Sequence, residues 1–347
     1  SIVIPDSVTS IRDEAFLRCD SLWLITIPNS VVSIGSRAFR YCSQLQMIKI
    51  PDSVKEIGDE AFSCCLSLTS ITIPGSIEML GANLFSSCAN LSEVKVGGEG
   101  DNLKMVDGVL FNGDMTRLVW CSKEKSGSYG IPPTVKTIDS DAFCSCMELT
   151  SITLPNTITE IINRVFMNCY KLETVTIPDS VTSIGSFTFY QCSALESVVI
   201  PDSVTSIGSC TFQACKKLTE LFIPSSVTSI GNNPFAGCEQ LRRIEVAEGN
   251  NHFKVVDGVL FNKEMTHLIS YAACIQSDYT IPDSVTSFGN WAFSNCRALT
   301  SVTIPKSVTS IGDYAFEDCS NLRTVTIPSG LSSSMSVFPF YVAITRY

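Results

Sequence analysis

Cysteine is the residue with the most chemistry to offer in this chain. There are 16, against two histidines. Eleven recur at one place in a repeating pattern: Cys19, Cys42, Cys65, Cys88, Cys146, Cys169, Cys192, Cys215, Cys238, Cys296 and Cys319. The other five are Cys64, Cys121, Cys144, Cys210 and Cys274. A metal site needs ligands converging at tight spacing, with further Cys or His. Cys144-Ser145-Cys146 is too little for that. Recurring sulfurs in register would stand near disulfide range, but they would have to twist towards each other, and their number is odd. A free Cys behaves as a small buried apolar residue. The expectation is a column of buried free thiols, ahead of disulfides and of a metal. Burial can keep thiols inert inside or outside a cell.

The histidines, His252 and His267, have no fixed Ser or Cys partner in the sequence. No phosphate-binding loop, dinucleotide fingerprint or zinc-protease motif is present. Catalysis needs unlike residues brought together, whereas this chain sets like residues in rows. The expectation is no catalytic residue, no cofactor and no metal.

The rows come from a repeat of 23 residues. An apolar residue followed by Pro or its stand-in falls at Ile4, Ile27, Ile50, Ile73 and Val96, then at Ile131, Leu154, Ile177, Ile200, Ile223 and Val246, then at Ile281, Ile304 and Ile327. A period in this range with regular Leu and Ile marks a leucine-rich-repeat solenoid. Each unit reads as strand, turn, strand, turn and brief helix. The alternation in Leu172, Val175, Ile177 is strand periodicity, and Pro ends that strand. Val204-Thr205-Ser206-Ile207 is a second short strand, followed by Gly208 for the turn out of it. Asp13, Ser36, Asp59, Asn163, Ser186, Asn290 and their counterparts suit helix N-caps. Phe, Cys and Leu then follow at spacings of three and would share one face of a helical turn. The fold class is thus an α/β repeat solenoid, a right-handed superhelix of coils with two parallel sheets and short helical turns.

The chain reads as a single repeat domain over residues 1–347. Regular coils cover 4–96, 131–246 and 281–328, and 329–347 reads as a C-terminal cap in which Ser332-Ser333-Ser334 leads into the aromatic run Phe338-Pro339-Phe340-Tyr341. Residues 97–130 and 247–280 are inserts sharing V-D-G-V-L-F-N-x-x-M-T-x-L. Asp107-Gly108, Asp257-Gly258 and Asn112-Gly113 are turn dipeptides, and the alternation Val109, Phe111, Thr116, Leu118 suits a hairpin.

The net charge is −10. No basic field exists to release counterions, so a nucleic-acid or anionic-membrane role is not expected. No stretch approaches the about 20 apolar residues of a membrane helix. There is no export signal, and the chain opens inside a strand, as a fragment would, so export is left open. On the outward face of the first strand most residues are Thr, Ser or Glu. Departures are Trp23, Leu24, Met47 and Lys49, and later Val199, Phe222, Arg242, Arg243 and Arg323. Exposed aromatic and Arg side chains are what interface hot spots favour, so these are the candidate partner contacts.

The motif I-P-x-S-V-T-S-I-G-x-x-A-F-x-x-C-x-x-L resembles the BspA-like family of leucine-rich repeats. Ile304-Pro305-Lys306-Ser307-Val308-Thr309-Ser310-Ile311-Gly312, with Phe316, Cys319 and Leu322, carries the likeness, which spans about residues 1–328. The resemblance implies a secreted or surface-anchored protein of mucosal bacteria or protozoa that attaches to host matrix, host cell or microbial proteins. It offers no catalytic residue. The alternative is a passive spacer that presents another domain.

Overall fold

The computed structural model describes residues 1–98, 100–271, 277–331 and 337–347. Cys274 and Ser332-Ser333-Ser334 lie outside the described residues. The chain divides into two compact units. One is Ser1–Leu149 with Arg164–Cys169; the other is Thr150–Asn163 with Tyr170–Tyr347.

Both units are stacks of short parallel strands. In the first, Ser10–Ile11, Ser33–Ile34, Glu56–Ile57 and Met79–Leu80 form one ladder. Met47–Lys49, Ser70–Pro74 and Glu93–Gly97 form another. In the second unit, Glu160–Ile161, Ser183–Ile184, Ser206–Ile207 and Ser229–Ile230 repeat the first arrangement. Partners are 23 residues apart, so every coil places the same side chain over its predecessor. Burial follows the expected pattern: Leu172, Val175 and Ile177 face inward, as do Val204 and Ile207. No coil could hide these residues alone; stacking removes them from water.

The expected helical turns are absent, and the class is corrected from α/β to an all-β solenoid, with no α-helix among the described residues. The third side of each coil is a run of tight turns. Two residues four apart take left-handed conformations, such as Phe187 (φ 58°) and Gln191 (φ 59°). A right-handed helix cannot pass through them. Amides there alternate in direction. Those of Phe187, Phe189 and Gln191 donate to Ser209, Thr211 and Gln213 of the next coil at 2.8–2.9 Å. Those of Tyr190 and Cys192 donate locally, to Phe187 and Phe189. A spacing of three suits such turns as well as it suits a helix, which is why Phe, Cys and Leu misled. The left-handed residues are unfavourable for non-glycine side chains, and the inter-coil hydrogen bonds offset that.

Two other local expectations change in kind. The supposed helix caps reach across coils. Asp13 Oδ1 accepts from the Ser36 amide at 2.7 Å, Asn163 Oδ1 from Ser186 at 2.8 Å, and Asn290 Oδ1 from Asp313 at 2.9 Å. Gly208 serves close approach: a Cβ there would lie 2.3 Å from the Ser186 nitrogen of the coil below.

Phe rings stack down the centre. Phe16, Phe39 and Phe62 are 5.2 and 5.5 Å apart in one unit, and Phe293 lies 4.8 Å from Phe316 in the other. Phe338 continues that second column, 5.2 Å from Phe316. Ala343–Arg346 pairs in parallel with Thr324–Ile327.

Each insert opens with the antiparallel hairpin its turn dipeptide demands. Leu103–Val106 pairs with Val109–Asn112, and Phe253–Val256 with Val259–Asn262. Asp107 and Gly108 are both left-handed, as a two-residue hairpin turn requires. The next strands, Arg117–Cys121 and His267–Tyr271, pair antiparallel with those hairpins and then parallel with Thr137–Ile138 and Ser287–Phe288. An insert is therefore a variant coil: Thr116-Arg117-Leu118 takes the place that V-T-S-I fills elsewhere.

Candidate interaction surfaces and internal polar seams

The candidate contacts fall in separate places. In the first unit Trp23 and Met47 are half exposed, at 51% and 57%. Leu24 is bridged to Met47 in the strand register, and Leu24, Met47 and Lys49 line one shallow groove of about 560 Å³. In the second unit Val199 and Phe222 are 78% and 50% exposed. They share a groove of about 290 Å³ with Arg243 and Glu245. Phe222 sits opposite Glu245 in register, and Glu220 opposite Arg243. Arg243 Nη2 binds Glu245 Oε1 at 2.5 Å, both exposed. An adjoining groove of about 530 Å³, at the foot of the second hairpin, is lined by Phe222, Glu245, Glu248, Lys254 and Lys263. Arg242 is exposed beside this group. Arg323 is exposed elsewhere, its Nη1 donating to Ser320 O at 2.9 Å.

The ladder thiols have a defined structural task. Cys42 Sγ donates to Phe16 O at 3.1 Å, Cys65 to Phe39 O at 3.2 Å, and Cys215 to Phe189 O at 3.1 Å. Each joins a coil to the one before. Burial pushes the Cys42 and Cys238 thiols up to about 12. No thiolate forms there at neutral pH, so these sulfurs are poor nucleophiles. Among the described residues no three of His, Cys, Asp and Glu gather as a metal site.

Sequence reasoning missed the polar seams beside the variant coils. Arg117 spans the first, from the strand ending at Leu80 to Asp139. Its Nε and Nη2 bind the two Asp139 oxygens at 2.7 Å each, while Nη1 and Nη2 reach Leu80 O and Gly81 O at 2.8 and 2.5 Å. The Asn83 amide completes the carboxylate at 3.0 Å, and Asn83 Oδ1 accepts from Ser140 at 2.9 Å. Asp141 is held likewise by Arg164 and Ser86. The second seam keeps only the Asn of the first and changes its charged residues. His267 replaces Arg117 and binds Ser287 Oγ through Nδ1 at 2.8 Å. Gly289 replaces Asp139. Trp291 and Tyr314, stacked at 5.6 Å, replace Asp141 and Arg164. Asn233, in the place of Asn83, is buried with neither side-chain polar atom hydrogen-bonded. His252 is exposed. The one signal available in sequence was the mismatch of Arg117 with His267.

Comparison with known proteins fits this geometry. The model of the BspA type leucine rich repeat region matches residues 1–114, 121–262 and 269–341, in six copies.

The chain belongs to the BspA-type leucine-rich-repeat family.

Similar solved structures include a leucine rich cell surface protein of Faecalibacterium prausnitzii. It is 27% identical with a TM-score of 0.52, over 87% of this chain and 86% of that one. A leucine-rich repeat protein of Eubacterium ventriosum is 24% identical with a TM-score of 0.57, over 96% and 86%. The pneumococcal vaccine antigen PcpA is 24% identical with a TM-score of 0.56, over 90% and 78%. The last two show likeness of fold alone. The comparison with curated proteins found no match. Among the described residues no helix is long and apolar enough to cross a membrane.

Proposed function

We propose that this chain is a non-enzymatic protein-binding module of a secreted or cell-surface protein, acting as one repeat domain in adhesion to host or microbial proteins. The observation that carries the reading is the exposed pair Val199 and Phe222, set in a row otherwise built of Thr, Ser and charged residues. Large exposed apolar groups beside a charged pair are the usual anchor and rim of a protein interface. Arg243, Glu245, Lys254 and Lys263 supply the rim on both sides of Phe222. The partner this suits is a protein segment with one apolar anchor flanked by charges. Family membership supports a repeat scaffold for protein contacts, and the Faecalibacterium relative is described as a cell surface protein.

The test is direct binding to a panel of purified matrix and cell-surface proteins. A saturable partner should be lost in Phe222→Ser/Arg243→Ser and kept in Met47→Ser. Unchanged binding of that partner by the double variant would place the contact elsewhere.

A further inference from the structure

In the first unit two sulfurs meet where the chain elsewhere sets an aromatic ring against one. Cys121 occupies the backbone place that Phe fills in a regular coil: its amide donates to Ala142 O at 2.8 Å, as the Phe39 amide does to Ala61 O. The second insert has Tyr271 there, its amide on Ala292 O at 2.7 Å and its ring 5.2 Å from Phe293. In the first insert the ring over Phe143 comes instead from Tyr129, at 6.0 Å. The exchange of Tyr for Cys brings Cys121 against the ladder residue Cys146. Both sulfurs turn to one carbonyl, Ser122 O, at 3.6 and 3.5 Å, which sets the two free thiols side by side. The ladder thiols of Cys42, Cys65, Cys88, Cys169, Cys215, Cys238 and Cys319 point instead to a Phe carbonyl of the coil before.

We propose that Cys121 and Cys146 form a disulfide that staples the first variant coil to the regular coil after it. The oxidant is a small-molecule disulfide. One protein thiolate attacks it, forming a mixed disulfide and releasing one small thiol. The second protein thiolate attacks the mixed disulfide at the protein sulfur, closing the Cys121–Cys146 bond and releasing the second small thiol. Two electrons pass to the oxidant, and the two thiol protons end on the released thiols. Both sulfurs are buried in the closed coil, so the exchange takes place while the variant coil is still open during folding.

The experiment refolds the reduced chain in a glutathione redox buffer, then denatures it and blocks free thiols with an alkylating reagent. The expected product carries alkyl groups on all cysteines but two, lacks two hydrogens, and gives a peptide linking Cys121 to Cys146. Its Tm should exceed that of the reduced chain by about 5 °C. Cys144→Ser should keep the link; Cys121→Ser and Cys146→Ser should each abolish it. Full alkylation of the wild-type chain, or a link through other sulfurs, overturns the proposal. Where the bond forms in life rests on the surface reading above. The refolding assay does not, so its failure leaves the binding proposal untouched, and loss of that proposal leaves the disulfide standing.

Discussion

Arg117 grips Asp139 through two hydrogen bonds of 2.7 Å, from Nε and Nη2, while Nη1 and the second N–H of Nη2 bind the carbonyls of Leu80 and Gly81, which the preceding strand leaves at the seam. One side chain thus replaces a missing strand partner. The pair is nearly buried, with side-chain exposures of 19% and 6%. A buried carboxylate without its cation is strongly unfavourable, so the pair acts as a unit.

Arg117→Ala should therefore destabilise the chain by about 3 kcal/mol, read as a lower urea midpoint. His267→Ala at the equivalent place should change stability by at most about 1 kcal/mol, because it gives up one hydrogen bond. Equal effects would show that the guanidinium does not bridge the seam.

Transplanting the first seam onto the second should stabilise it. The variant combines His267→Arg, Gly289→Asp and Asn232→Ala. The last change restores the alanine that the first seam has as Ala82 and removes an oxygen, Asn232 Oδ1, that would face the new carboxylate. The new carboxylate would accept from the Asn233 backbone amide, as Asp139 does from that of Asn83, for a gain of about 1 kcal/mol. Loss of stability in thermal and urea unfolding would show that Asn233 is oriented differently from Asn83.

Glycine at the turn side of the coil should be required only where a regular coil lies beneath. Gly208→Ala places a Cβ 2.3 Å from the Ser186 nitrogen and should destabilise by about 3 kcal/mol. Gly289→Ala meets nothing closer than 3.5 Å and should be neutral or stabilising by about 0.5 kcal/mol. Unfolding curves of the two single variants decide it.

Burial lowers the pKa of His267 below the ordinary imidazole value. The unfolded chain then binds the proton more readily than the folded one. The contribution of neutral His267 to stability is complete above about pH 6.5 and is lost as pH falls from there to the folded pKa. The urea midpoint of His267→Asn, subtracted from that of wild type, should show this slope as pH falls below about 6.5. A flat difference would mean that the ring stays solvated.

Alkylation should sort the thiols by burial. Cys19 and Cys64 are partly exposed and should react in the native chain at pH 8, whereas Cys42, Cys88 and Cys238 should not until it unfolds. Mass mapping of the labelled peptides is the measurement; labelling of Cys88 in the native state would place the ladder at the surface.

The sequence alone settled the period, the coil phase, the family and the inward faces, because burial repeats with the same residues in every coil. The hairpin turns at Asp107-Gly108 and Asp257-Gly258 were legible too, since Asp-Gly carries its own backbone preference. The sequence could not decide between helix and turn for Phe, Cys and Leu, whose spacing suits both. That was settled by where the backbone amides find acceptors, one coil away in space and 22 residues away in sequence, as for Phe187 and Ser209. Nor could it pair Arg117 with Asp139, or Cys121 with Cys146. These pairings depend on which coil comes to lie against which once the variant coil has taken its place in the stack, and no local pattern records that.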